Sequence, residues 1–230
     1  MLKSDLRKIL YIGIILVVVF AVIFILVYFN IDHSLDVSIF RSINNINIPA
    51  FNTFFAELTT YGRAYFWVPV VALMWILGDA FKNEKAKRGA LLLILVFIVI
   101  IIVGLTLKQV YYRPRPFLTL SNVHVLVPKD FDSSFPSGHA LIVAAGAAIV
   151  IFFLRKRYSL LLVLEAALVC FSRVYVGVHY PSDVLAGIVL GVGISFIMYA
   201  LISKSKLFDN LFKFVDSVYS GALRIVHLKK

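Results

Sequence analysis

Residues 89–108 read GALLLILVFIVIIIVGLTLK, with no charged side chain between Arg88 and Lys108. A helix of about 20 apolar residues spans the hydrocarbon layer of a bilayer. Comparable runs occur near 9–29, 62–80, 138–154, 158–176 and 182–202, which makes six expected spans. The 138–154 run is short by this standard and is expected to start inside the loop before it. The run after Lys3, Arg7 and Lys8 is longer than the about 7–15 residues of a signal-peptide core, so it reads as a retained span. Overall 61% of the 230 residues are hydrophobic and the mean hydropathy is +0.95, whereas a soluble domain is about half apolar. The expected fold class is all-α: a polytopic bundle of six transmembrane helices, residues 1–203, followed by a basic amphipathic tail, 204–230. Cys170 is the only cysteine, so no intramolecular disulfide or cysteine-based zinc site is available.

The net charge of +11 does not point to nucleic acid, because the basic residues sit in short loops between apolar runs. The N-terminus carries three, the loop at 82–88 four, the loop at 155–157 three and the tail six, so 16 of the 23 fall on one side. The positive-inside rule places that side, and both termini, in the cytoplasm. In the first outer loop, residues 30–61, Phe40, Ile43, Ile46, Phe51, Phe54, Phe55 and Leu58 recur at helical spacing. Short amphipathic helices fit this pattern, either lying on the membrane or capping the bundle. In the tail, Leu207, Leu211, Phe214, Val215, Val218 and Tyr219 mark one helix face. That face suits an anionic leaflet or a homodimer contact.

Three polar clusters fall together on the sparsely basic face. Lys108 ends the third span and Arg113-Pro114-Arg115-Pro116 follows; Pro136-Ser137-Gly138-His139 opens the fourth; Ser172-Arg173 ends the fifth, and His179-Tyr180-Pro181-Ser182-Asp183 opens the sixth. Lys108, Arg115 and Arg173 offer three cations, and guanidinium forks match phosphate oxygens. Ser137, Gly138 and His139 begin a helix, where free amides and the helix dipole favour an anion, and glycine permits close approach. The two histidines can supply a nucleophile and a proton donor. Asp183, in the first turn after Pro181, can hold one nitrogen of His179 and leave the other free.

Lys108 with Arg115-Pro116, then Pro136-Ser137-Gly138-His139, then Ser172-Arg173 with His179 and Asp183, resembles the complete three-part signature of the type 2 phosphatidic acid phosphatase superfamily. The resemblance implies that Lys108, Arg115 and Arg173, with Ser137 and Gly138, bind the phosphoryl oxygens. It implies His179 as nucleophile, Asp183 as its orienting acid, and His139 as proton donor and then base. It also implies a metal-independent enzyme without cofactor, acting on a membrane lipid phosphate or diphosphate. An isoprenoid diphosphate is favoured, with phosphatidylglycerol phosphate or phosphatidic acid next. Vanadium haloperoxidases share the family, but a small bundle with no large soluble domain argues against that chemistry. A transporter would predict Gly/Pro-broken helices in paired halves, and a scaffold would not need both histidines.

Arg113 lies outside the signature. With Pro114 and Pro116 holding the segment extended, Arg113 and Arg115 are expected on the same side, so Arg113 is a candidate for a second phosphate, the alternatives being a headgroup contact or a residue facing water. Glu165 falls near the middle of the fifth span, where an acid is either functional or a buried structural group. His33, His124 and His227 receive no role.

Overall fold

The computed structural model describes residues 3–228. Lys229 and Lys230 of the tail lie outside the described residues, as do the side chains of Lys3 and His227. All regular structure among the described residues is helical: α1 (Lys3–Tyr28), α2 (His33–Asn44), α3 (Pro49–Tyr61), α4 (Ala64–Ala80), α5 (Glu84–Val110), α6 (Pro116–Thr119), α7 (Gly138–Phe153), α8 (Lys156–Tyr175), α9 (Pro181–Ile202) and α10 (Lys206–Leu228). Prolines at 49, 116 and 181 each stand in the first turn of their helix, where a missing N–H costs nothing. Asn83 caps α5 by accepting from the Ala86 amide at 3.2 Å, which satisfies one of the orphan donors of a helix start.

By length and apolarity α1, α5, α8 and α9 can each cross a membrane, and α3 with α4 passes as one broken span bent by 53°. α7 has only 16 residues, roughly 24 Å at 1.5 Å per residue. The expectation that this helix begins inside the preceding loop is corrected. Ser137 is its extended N-cap, with ψ 113°, and the fixed ring of Pro136 precedes it, so residues 120–137 stay irregular apart from turns. The outward faces of the long helices are apolar, for example Val18 and Val22 on α1, Ile98 and Ile102 on α5, and Leu161 and Leu164 on α8.

α9 lies at the centre, packed along α1 on one side and α7 on the other, and α7 also meets α5 and α8. Small residues make this possible. A Cβ added at Gly187 would lie 2.7 Å from the Ser137 carbonyl and 2.9 Å from Ala140 Cβ, and one at Gly191 would lie 2.5 Å from the Leu141 carbonyl. Small residues one turn apart let two helix backbones touch where lipid offers no hydrophobic drive. The contact sits at the start of both helices and is tied by the Ser137 amide donating to the Asp183 carbonyl at 3.0 Å.

α2 is a capping segment. Asp36, Phe40 and Asn44, spaced by four, are its buried residues. Asn44 donates to the carbonyls of His124 (2.9 Å) and Tyr175 (2.8 Å) and accepts from the His124 amide at 3.0 Å. α10 folds back on the opposite end, and its inward face differs from the expected one. Phe208 and Phe212 are buried, Trp75 packs on Phe212 and Tyr219, while Leu207, Phe214 and Val218 are exposed. The rotation follows the charges, because Asp209 pairs with Arg88 and Asp216 with Lys87.

Gly187→Ala tests the α7–α9 contact. The added methyl must part the helices, an overpacking cost of about 1–3 kcal/mol, and it separates Ser137 from the start of α9. The expected outcome is a lower melting temperature in detergent together with a larger loss of activity. Full activity and unchanged melting would contradict it.

Candidate active site

Five chain segments end at one point. The last turn of α5 brings Lys108 and the start of α6 brings Arg115. Gly138 and His139 open α7, Arg173 closes α8, and His179 precedes α9; these six side chains and backbones line one cavity of about 190 Å³. Asp183 does not line it. It stands behind His179, fully buried. Ser137 is buried too, and its hydroxyl has no hydrogen-bond partner among the described residues. A Cβ built on Gly138 meets nothing within 4 Å, so the start of α7 is an open cradle beside the cations.

Arg115 Nη2 pairs with Asp132 Oδ1 at 2.5 Å and its Nη1 donates to the Val178 carbonyl at 3.1 Å. Lys108 Nζ reaches Asp132 Oδ2 and the Ser133 carbonyl, both at 2.7 Å. Asp132 thus holds two cations a fixed distance apart. Burial pushes its carboxyl up, but Lys108 and Arg115 outweigh that and hold it below the usual carboxylate range. Arg173 is buried, donates from Nη1 to Thr59 Oγ1 at 2.7 Å, and leaves Nε without a partner among the described residues. Unpartnered donors at Arg173 and Ser137 cost stability unless an acceptor arrives, and a phosphate oxygen is such an acceptor.

His179 faces a polar wall on one side. Its Nδ1 lies 3.3 Å from Ser134 Oγ and 3.6 Å from Asp183 Oδ2. The second distance is beyond a hydrogen bond; Ser134 bridges the two by donating to the same carboxylate oxygen. Asp183 also accepts from the Tyr180 amide at 2.8 Å and from Arg113 at 2.5 Å. With Nδ1 held there, Nε2 is the nitrogen left for the cavity. Burial, reinforced by Arg173 and Arg115 and opposed by Asp183, holds the His179 imidazole down at about 3, so the ring is neutral and nucleophilic at neutral pH.

The structure corrects the assignment of Arg113. Its guanidinium does not enter the cavity. It is buried, donates to Asp36 Oδ2 (2.8 Å), Asp183 Oδ1 (2.5 Å) and Ser182 Oγ (2.7 Å), and lies over the Tyr180 ring at 4.4 Å. Arg113 and Arg115 therefore point to opposite sides of His179. Glu165 is also outside this cavity; its carboxyl is buried beside Gly62 and Trp67, in a separate pocket of about 270 Å³ with Leu58 and Tyr65.

Sequence reasoning did not find Asp36, Thr59, Asp132 or Ser134. Asp36 carried one usable signal, since it shares a helix face with Phe40 and Asn44 at four-residue spacing. The others act through contacts that no local pattern encodes.

A profile of the PAP2 superfamily matches residues 89–207, the stretch that holds every cavity residue named above. The chain belongs to the PAP2 superfamily. It is 40% identical over 162 residues to the undecaprenyl-diphosphatase of Sulfolobus acidocaldarius, covering 70% of this chain and 76% of that one. With the undecaprenyl-diphosphatase BcrC of Bacillus subtilis it shares 28% identity over 80% of this chain and 90% of the other. Among solved structures, the PAP2-type phosphatidylglycerolphosphate phosphatase of Bacillus subtilis superposes with a TM-score of 0.70 at 27% identity, over 85% of this chain and 98% of that chain. LpxE of Aquifex aeolicus gives 0.61 at 31% identity, over 71% and 93%. This PAP2 chain is a membrane phosphatase acting on lipid phosphates.

One further cavity adjoins the PAP2 site. An apolar groove of about 790 Å³ runs between α4 and α5, shares Arg63, Ile101 and Ile142 with the cation-lined cavity, and is floored by Val215, Val218 and Tyr219 of α10.

Arg113→Ala leaves Asp36 and Asp183 buried without their cation. Breaking a buried pair costs about 3–5 kcal/mol. The expected result is reduced melting temperature and an equal fractional loss on lipid monophosphate and diphosphate. A selective loss on the diphosphate alone, with stability intact, would return Arg113 to the substrate.

Proposed function

We propose that this chain dephosphorylates an isoprenoid diphosphate, or a related lipid phosphate, through a phosphohistidine on His179. The observation that carries the reading is the union of a cation-lined cavity containing a neutral histidine with a predominantly apolar groove that shares Arg63 with it. A soluble phosphate ester would need the first and have no use for the second. The names of the Sulfolobus and Bacillus relatives support the diphosphate, and the phosphatidylglycerolphosphate phosphatase keeps a monophosphate as the alternative.

In this reading Lys108, Arg115 and Arg173 bind the oxygens of the reacting phosphoryl group, with the Gly138 cradle and the Ser137 hydroxyl completing the shell. Their charges are fixed before the reaction and match the charge spread over the equatorial oxygens in the transition state. His179 Nε2 bonds to phosphorus, with its Nδ1 proton held by Ser134 Oγ, which donates in turn to Asp183. His139 gives a proton to the leaving oxygen. Water then attacks the phosphohistidine, with His139 taking its proton, and phosphate leaves.

The topology in this reading has six spans, α1, α4, α5, α7, α8 and α9. Both termini and the loops at 82–88 and 155–157 are cytoplasmic, and 108–137 and 174–182 face outward. In intact cells of a Cys170-free variant, an impermeant thiol reagent is expected to label a cysteine at 122 and not one at 85. The opposite pattern reverses the orientation.

The chemistry is tested by rapid quench with labelled lipid diphosphate and EDTA present. Wild type is expected to turn over and to yield an acid-labile, base-stable adduct. His179→Ala should give neither adduct nor product, and His139→Ala should slow turnover by about 10²–10⁴, the worth of a general acid. Adduct persisting in His179→Ala would require another nucleophile, and activity lost to EDTA and restored by magnesium would require a metal.

A further inference from the structure

Arg63 is the one cavity cation that belongs to no motif. It caps α4 at the break between α3 and α4, with an irregular backbone at φ −102° and ψ −98°. Gly62 before it lies tight against α8, because a Cβ there would run into Val169 and Leu58 and stand 3.2 Å from Glu165. The break, a bend of 53°, is therefore pinned by packing, and it leaves Arg63 on the cavity lining.

The other cavity cations are already engaged. Lys108 and Arg115 are tied to Asp132, and Arg173 to Thr59. The Arg63 side chain is exposed and makes no hydrogen bond or ion pair among the described residues. It lines both the phosphoryl cavity and the apolar groove, and its charge acts on His139 and Arg173. A lipid diphosphate with its terminal phosphate among Lys108, Arg115 and Arg173, and its tail in the groove, must pass its second phosphate through the junction between them. Arg63 stands at that junction.

We propose that Arg63 binds the second, lipid-proximal phosphate of a diphosphate and so sets the preference for diphosphates over monophosphates. This rests on the reading under Proposed function. The chemical step gives Arg63 a role beyond holding the substrate. As His179 Nε2 bonds to the terminal phosphorus, the bridging P–O bond breaks and its electron pair goes to the oxygen of the departing lipid monophosphate. His139 supplies one proton to that phosphate, and Arg63 offsets the remaining charge. Water later hydrolyses the phosphohistidine and returns the proton to His139. With a monophosphate the leaving group is an alcohol, and there is no second phosphate for Arg63 to meet.

Two measurements test the assignment on the purified full chain. The first is kcat/KM for an isoprenoid diphosphate and monophosphate sharing one tail, in wild type, Arg63→Ala and Arg63→Lys. The diphosphate to monophosphate ratio is expected to fall by about tenfold in Arg63→Ala, the loss of one charge-assisted contact, through both a higher KM and a lower kcat for the diphosphate, with part restored by Arg63→Lys. The second measures binding of two non-hydrolysable probes, methylenediphosphonate and methylphosphonate, by ligand-dependent melting. The wild type should prefer the diphosphonate, and Arg63→Ala should remove about tenfold of that preference. Equal losses on both members of either pair, no loss on either, or no wild-type preference for the diphosphonate would overturn the assignment. If wild type cleaves neither lipid yet the probe preference depends on Arg63, the proposed activity fails while the diphosphate subsite stands.

Discussion

The burial of Asp183 is the constraint on which the rest of the site depends. A carboxylate taken wholly out of water is costly unless hydrogen-bond donors and a counter-charge replace its hydration. Arg113, Ser134 and the Tyr180 amide do so here, each from a different part of the chain. Arg113 then needs a second acid to balance it, and Asp36 of α2 supplies one while also accepting from the Ser182 amide and hydroxyl. One buried charge thereby fixes the start of α9, the segment after α5, the loop before α7 and the capping helix α2. Burial opposes the positive charge of Arg113, but Asp183 and Asp36 outweigh it and push the guanidinium up. The cluster is joined by hydrogen bonds from Arg113 to both acids, although burial raises the Asp36 carboxyl. It is a frame of hydrogen bonds through which Ser134 and Asp183 set the ring orientation of His179.

The same frame explains how two arginines two residues apart come to do different work. Arg113 is bound on its backbone side, its amide donating to Ser133 Oγ at 3.1 Å and its carbonyl accepting from the Ser134 amide at 2.8 Å. Its side chain falls behind His179, where the two buried acids lie. Arg115, as N-cap of α6, turns to the cavity side. One arginine therefore pairs with the acid beside His179, and the other lines the cavity. An exchange of roles would leave Asp183 unpaired, which is the more expensive fault, so the energetics of burial select the arrangement.

Much of this was legible in the sequence because it is local. The apolar runs gave helices whose bounds differ from expectation by a few residues, since uncharged stretches flanked by Lys and Arg leave little choice. The spacing of Lys108 and Arg115, of Ser137 to His139, and of Arg173, His179 and Asp183 placed all of them at helix ends on one face, and the structure gathers them there. What the sequence could not show depends on contacts between distant segments. Arg113 and Asp36 are 77 residues apart, and Arg173 and Thr59 are 114. The i, i+2 argument for Arg113 assumed one extended segment facing one cavity, and it had no means of weighing a buried acid on the other side. For α10, counting apolar positions selected a face that includes Leu207, Phe214 and Val218. Asp209 and Asp216, two turns apart, rotate the helix toward Arg88 and Lys87, leaving Leu207 and Phe214 outside and Val218 at the open rim of the groove.

That rotation bears on the groove. Lys87 is nearly buried at the N-terminal end of α5 and is held by Asp79 and Asp216, with Trp75 and Tyr219 stacked about it. Desolvating a lysine is costly unless acids meet it, so α10 is drawn onto α4 and α5 by the need to pair Lys87 as much as by its apolar residues. Once docked, its Val215, Val218 and Tyr219 become the floor of the groove. The groove is therefore closed at one end by a charge-driven contact and opens at the other beside Arg63. Its apolar walls cannot bind a phosphate, and its charged mouth cannot hold a lipid tail. A molecule that satisfies both must carry its phosphate at one end of a long apolar chain, and that molecular shape is the strongest statement the architecture makes about the substrate.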